Sequence, residues 1–260
     1  MSMQITWAFG WAKWAFGRRA ACTLGLVLLA ACAKGPGEPS AEVELSQAIG
    51  QVIRQRLAPK PEPLVLTRAM LDAQAVPHLE VVLEDQELTG YLGLLLSRRD
   101  DLPGEITHWS AADGTALIFR NGMLIASRGM ADNLLSAEVA SKGLQPGPAH
   151  GGQRSYQLRS GDFSARQVVL ACVLQDLGPA TLEIVEQSYP TRYPQERCES
   201  QAAGAAPKIV INEYWIDSQP RPPSGPQTDY LARHQTRLVR QSRQWAGPGL
   251  GYLRIRDLSS

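Results

Sequence analysis

Neither G-x-S-x-G, H-E-x-x-H nor C-x-x-C occurs in this sequence. Those absences remove the nucleophile elbow, the helical zinc protease motif and the paired-cysteine metal or redox site. The four histidines, His78, His108, His150 and His234, lie far apart, with no metal-ligand spacing. "GPGLG" at residues 247–251 lacks the spacing of a phosphate loop and any helix after it. It is read as a turn between Trp245 and Tyr252. No apolar run reaches the ~20 residues that span a bilayer as a helix, and no internal repeat is visible. The reading is of a non-enzyme with no metal and no cofactor.

What is present begins with the N-terminus. Lys13, Arg18 and Arg19 form a basic region with no acidic residue before position 38. An apolar run of about a dozen residues follows, Ala20 to Ala31, the length of a signal-peptide core. It ends in Leu29-Ala30-Ala31-Cys32, which resembles the bacterial lipobox. Residues 1–31 are therefore expected to be a removed lipoprotein signal peptide, and Cys32 the site of lipidation. Several acyl chains anchor stably where one would be marginal. Ala33, rather than Asp, implies by resemblance to enterobacterial lipoproteins an outer-membrane location facing the periplasm.

Removing residues 1–31 leaves 23 Lys+Arg against 25 Asp+Glu. That balance has no basic footprint, so nucleic acid is not an expected partner. Beyond Cys22 and Cys32 only Cys172 and Cys198 remain. In an oxidising periplasm they are a candidate disulfide, the alternative being two free buried thiols.

Residues 32–63 read as a lipidated tether, an amphipathic helix over 40–57 and a Pro-rich link at 59–63. Ser40 is the N-cap, and Leu45, Ile49, Val52 and Ile53 share one face. From residue 64 to 260 the period changes to two, with eighteen prolines and twenty-three glycines along the whole chain to make turns. Strands are predicted near 78–84, 90–97, 104–109, 115–120, 123–128, 154–159, 166–174, 181–187, 208–217, 235–243 and 251–256, with a short helix near 131–140. The fold class is mainly β, an antiparallel sandwich or barrel-like domain of many short strands preceded by one amphipathic helix. A Pro-rich insertion occupies 218–235.

The segment 107–135 contains His108, Ser110 and Asp113, from which a Ser/His/Asp arrangement could be drawn. Turn chemistry accounts for it better. Asn121-Gly122 between two alternating apolar arms predicts a type I′ hairpin, since both central residues need positive φ. Asp113-Gly114 predicts a second turn at its entry. Aromatic residues on or beside strands are the remaining candidates. Trp109, Tyr214, Trp215, Trp245 and Tyr252 could contact glycan or a partner, or fill the core.

The ordered set Trp109-Ser110, Asp113-Gly114, Gly122, Gly129-Met130 with Asn133-Leu134, Asn212 to Asp217, and Ser242 to Pro248 resembles the YjbF/GfcB-type lipoprotein family. The resemblance covers roughly 65–257. It implies an outer-membrane lipoprotein serving assembly or export of a capsule or exopolysaccharide. Its partners would be an outer-membrane β-barrel and periplasmic proteins of the same cluster, and the polysaccharide itself. It carries over no catalytic residue. The 218–235 insertion departs from the family pattern. A polysaccharide-trimming hydrolase or lyase is the alternative, with Asp113, Asp132, Glu213 and Asp217 as the carboxylates to test. A purely structural envelope lipoprotein is the third reading.

Overall fold

Alternation of apolar and polar residues lets each strand bury one face, and here twelve such strands join edge to edge. The computed structural model describes residues 65–130, 132–159, 162, 164–200, 209–219 and 238–259. The signal peptide, Cys32, the helix over 40–57 and nearly all of the 218–235 insertion lie outside the described residues. Leu64–Ser260 forms one unit.

The strands are β1 His78–Leu83, β2 Leu88–Arg98, β3 Ile106–Ser110, β4 Ala116–Arg120, β5 Met123–Arg128 and β6 Asn133–Glu138. They continue as β7 Gly152–Arg159, β8 Ala165–Ile184, β9 Gln187–Ser200, β10 Ile209–Asp217, β11 Val239–Trp245 and β12 Tyr252–Asp257. All pairings are antiparallel, in the order β5-β4-β3-β2-β1-β12-β11-β10-β9-β8-β7-β6. The chain thus meanders, and its first and last strands pair, Val81 opposite Ile255. The one interruption falls between β5 and β6, where no ladder is formed among the described residues. A bond from Leu134 N to Ser127 Oγ, 2.9 Å, crosses there. The result is a nearly closed barrel-like sheet, which leaves few free strand edges.

Inward-facing Leu79, Val81, Leu92, Trp109, Leu117, Phe119, Leu124, Leu170 and Leu253 form the main core. Each buried aliphatic side chain contributes roughly 1.5–3 kcal/mol. A second cluster closes one end. There Leu71, on the five-residue helix α1 (Arg68–Asp72), packs with Ile184, Tyr189 and Leu258. Thr67 caps α1 by accepting from Met70 N at 3.3 Å.

The Asn121-Gly122 turn has φ 49° and 79°. Its tip is buttressed as well as bent: Asn121 Oδ1 accepts from Glu105 N at 2.9 Å, and Nδ2 donates to Gly143 O at 3.0 Å. A Cβ on Gly122 would lie 2.5 Å from Val239 Cγ2. The hairpin therefore docks on β11.

Three expectations change. The short helix near 131–140 is instead strand β6, paired to β7 with Ala137 opposite Tyr156. Asn133 makes the turn before it, accepting from Met130 N and donating to Met130 O. An apolar run that short carries no decisive period, and the available β7 edge settles it. Second, strands expected at 166–174 and 181–187 are one twenty-residue strand, β8. The Gly178-Pro179 pair is an irregularity within it, where Asp176 Oδ1 accepts from Gly178 N at 2.9 Å. Third, β9 had no strand signal, because Pro190 and Pro194 interrupt it. Pro194 falls where the β9–β10 register skips from Gln195–Glu213 to Arg192–Ile216. The β8–β9 turn is formed by Val185 and Glu186, both at positive φ without glycine. Glu186 Oε2 is held by Arg68 N at 3.2 Å.

Candidate functional site

The Ser/His/Asp constellation dissolves into local bonds. Ser110 Oγ donates to Ala111 O at 3.2 Å. Asp113 Oδ1 accepts from Thr115 N at 2.8 Å, and that bond holds its carboxyl below the usual range. Trp109 Nε1 donates to Thr107 Oγ1 at 2.9 Å inside the core.

A cleft of about 400 Å³ opens at the β5–β6 seam, where Ile125 of β5 faces Ala137 and Glu138 of β6. Arg120 and Arg154 also line it, with His150 and Gln153. Both guanidiniums are already engaged. Arg120 bonds Asp100 Oδ1 and Oδ2 at 2.8 and 2.6 Å, and its hydrogen bond pulls the Asp100 carboxyl down to about 2. Arg154 pairs with Glu196 and donates to His150 O at 2.8 Å. Among the described residues Glu138 is the only carboxylate lining this cleft. Asp113, Asp132, Glu213 and Asp217 lie elsewhere, and Asp217 is buried in an ion pair with Arg240.

Behind the cleft the interior is polar. Glu196 Oε2 accepts from Asn212 Nδ2 at 3.2 Å, and Asn212 Oδ1 accepts from Trp245 N at 2.9 Å. Burial, then the Glu196 charge, pushes the Tyr156 hydroxyl up to about 12. Burial also holds the Tyr214 hydroxyl well above its ordinary value. Cys172 and Cys198, directly paired across β8 and β9, form a disulfide with S–S 2.02 Å. Glu196 lies beside it, but the sulfurs are bonded to each other and offer no thiolate to a metal.

Three aromatic candidates, Trp109, Tyr214 and Trp245, are 2%, 2% and 4% exposed. Rings at that depth pack against neighbours, Trp245 edge-on to Tyr156 at 5.4 Å, and present no face to a polymer in solvent. Trp215 and Tyr252 are half-buried and lie on the outer face of β9–β12. Trp215 stacks on Tyr193 with centroids 4.6 Å apart and planes 13° from parallel. The Arg243 guanidinium lies 3.6 Å over the Tyr252 ring. Tyr252 OH in turn accepts from Ile211 N at 3.0 Å, which fixes the ring. Burial, then the bond to Glu213, pushes Tyr193 up to about 12.

Along β12 the residues Tyr252, Arg254 and Arg256 alternate with buried Leu253, Ile255 and Asp257. That alternation was legible, and it places both arginines beside Tyr252 on the outer face. Tyr193 was not legible, because it sits in the proline-interrupted β9. This face joins a rigid aromatic stack to arginine, glutamine and glutamate side chains, the combination that can stack on a sugar ring while bonding its hydroxyls.

Residues 43–221 match the family described as group 4 capsule polysaccharide lipoprotein GfcB, YjbF. No curated protein matches the chain significantly. The crystal structure of the hypothetical lipoprotein YmcC from Escherichia coli K12 shares its fold, with a TM-score of 0.55 at 17% identity. That similarity covers 86% of this chain and 98% of the other.

Proposed function

The chain belongs to the YjbF family of group 4 capsule polysaccharide lipoproteins, and from that premise we propose that it is a non-catalytic binding or scaffolding component of polysaccharide assembly or export. Membership implies a membrane-anchored envelope protein. The finer location in this proposal is the periplasmic face of the outer membrane, with the lipid on Cys32. Its partners are an outer-membrane β-barrel and periplasmic proteins of the same gene cluster.

The observation that carries the reading is the outer face of β9–β12. There the Tyr193–Trp215 stack and the Arg243–Tyr252 pair sit on strands tied into the barrel. Such a surface can hold a polymer without chemistry being done on it. Glycoside hydrolysis would call for two carboxylates roughly 5–10 Å apart across the scissile bond, whereas among the described residues Glu138 is the one carboxylate that lines the seam cleft.

A deletion strain tests the proposal. Under producing conditions it should lose surface polysaccharide, and Cys32→Ala should release the protein from the outer-membrane fraction and reproduce that loss. Normal surface polysaccharide in the deletion strain sinks the reading. Shortening of the purified polymer by the protein would replace it with an enzymatic one.

A further inference from the structure

Among the described residues the Arg254 side chain has no partner. Its Nε is buried without a hydrogen bond, and the side chain makes no ion pair among the described residues. Buried polar groups in folded proteins are overwhelmingly bonded, so an orphan of this kind calls for an explanation. Its position sharpens the point. Arg254 stands directly opposite Arg243 in the β11–β12 ladder, and Arg256 is the next outward residue on its own strand. Like charges facing each other across a strand pair are unfavourable unless an anion lies between or beside them.

Three carboxylates of this face are already committed. Glu84 bonds Arg243 Nε at 2.7 Å, and Glu80 bonds Arg256 Nη1 at 3.2 Å. Glu213 accepts from Tyr193 OH and from Gln195 Nε2. Arg256 is further tied to Gln241 Oε1 at 2.9 Å. Arg254 is the remaining cation of the group among the described residues. The ladder sets Glu213, Arg243 and Arg254 in one row across β10, β11 and β12, with Trp215 in the adjacent row opposite Gln241. Trp215 lies two strand spacings, about 10 Å, across the sheet from Arg254 and one row along, with Tyr193 one strand further.

We propose that this face binds a carboxylate-bearing polysaccharide, with Arg254 pairing a uronate carboxylate while the Tyr193–Trp215 stack receives a neighbouring sugar ring. The inference rests on the polysaccharide reading above and names the chemical class of its ligand. A guanidinium matches a carboxylate in two parallel hydrogen bonds, which a neutral hydroxyl cannot reproduce. A carboxylate there would also relieve the Arg243–Arg254 opposition.

The test uses the detergent-solubilised mature chain and the surface polysaccharide of the producing strain. The polymer is taken before and after its carboxylates are converted to alcohols by carbodiimide activation and borohydride reduction. By calorimetry the native polymer should bind at least tenfold more tightly than the reduced one, and raised salt should narrow that difference. Arg254→Gln should remove the difference, Arg254→Lys should keep part of it, and Trp215→Ala should weaken both forms. Thermal unfolding of Arg254→Gln should be unchanged or improved, since no partner is left behind.

Equal binding of the two polymers, binding of neither, or an Arg254→Gln chain indistinguishable from its parent overturns the inference. So does displacement of the polysaccharide by phosphatidylglycerol vesicles in an Arg254-dependent way, which would make a lipid headgroup the ligand. If the deletion strain loses its polysaccharide while the Arg254→Gln strain keeps it, this inference fails and the broader function stands. If the deletion strain itself keeps its polysaccharide, the broader function fails.

Discussion

Arg240 Nε donates to both carboxylate oxygens of Asp217, at 3.0 and 2.9 Å, and the two side chains are 1% and 8% exposed. The pair closes the base of the Pro-rich insertion. Asp217 ends β10, Arg240 lies near the start of β11, and Asp217 N also donates to Leu238 O at 2.9 Å. Arg240 Nη1 holds Ser259 O at 2.9 Å, so the C-terminal tail is bound to the same point.

Removing one member of that pair should be severe. Asp217→Ala takes from the buried Arg240 guanidinium its bonded carboxylate and leaves only the Asp257 charge near it, and a loss of up to about 3–5 kcal/mol is expected in urea unfolding. The double variant Asp217→Asn with Arg240→Met should recover part of it, because both charges of the pair are gone while the buried Asp257 keeps its bonds from Ser259 N and Oγ. A single variant as stable as its parent would show that the pair is not closed in solution.

The disulfide should matter to stability far from any ligand. Reducing Cys172–Cys198, or replacing both by alanine, frees a segment 26 residues long. The expected loss is about 3 kcal/mol by the chain-entropy account. Denaturant unfolding with and without a thiol reductant measures it, and the double-alanine chain should no longer respond to reductant.

Alkaline pH should destabilise the barrel through its tyrosines. Burial, then the Glu196 charge, holds Tyr156 at about 12, and burial, then Glu213, holds Tyr193 at about 12, against an ordinary value of 10.0. A folded-state pKa above the unfolded one means the stabilisation is whole below pH 10 and is lost as pH rises through 12. Melting temperature should therefore fall across that window. Glu213→Gln should lower the Tyr193 titration, followed by phenolate absorbance, and leave Tyr156 alone.

Gly122→Ala should disrupt the hairpin tip for two separable reasons. The position has φ 79°, and the added Cβ would meet Val239 Cγ2 at 2.5 Å. A loss of about 1–3 kcal/mol is expected from overpacking and backbone strain together. Val239→Ala in the same chain should return the packing part and leave the backbone part. If the second substitution returns nothing, the tip does not rest on β11.

Much of the fold is legible because some signals are local. Asn121-Gly122 and Asp113-Gly114 state their turns through the φ values they permit, and the alternation in β12 states which side chains leave the barrel. The ordered motifs state the family. Trp109, Tyr214 and Trp245 were ambiguous, since an aromatic beside a strand reads the same whether it faces core or solvent. Tyr193 and the whole of β9 were hidden by Pro190 and Pro194, whose cost depends on whether a ladder bond is wanted at each position. The Val185-Glu186 turn was hidden too, because it is held by Arg68, 118 positions away from Glu186.

The sequence by itself determined the strand-rich class, the hairpin around residue 121 and the family, all properties of neighbouring residues and their spacing. Only the tertiary structure decided that β1 pairs with β12, that the ladder fails at β5–β6, and that Arg254 faces Arg243 with no carboxylate of its own among the described residues. Those are facts of register between strands distant in the chain. Local propensity is blind to register, because a strand's alternation is the same whichever neighbour it finds; the closed sheet selects one neighbour for each.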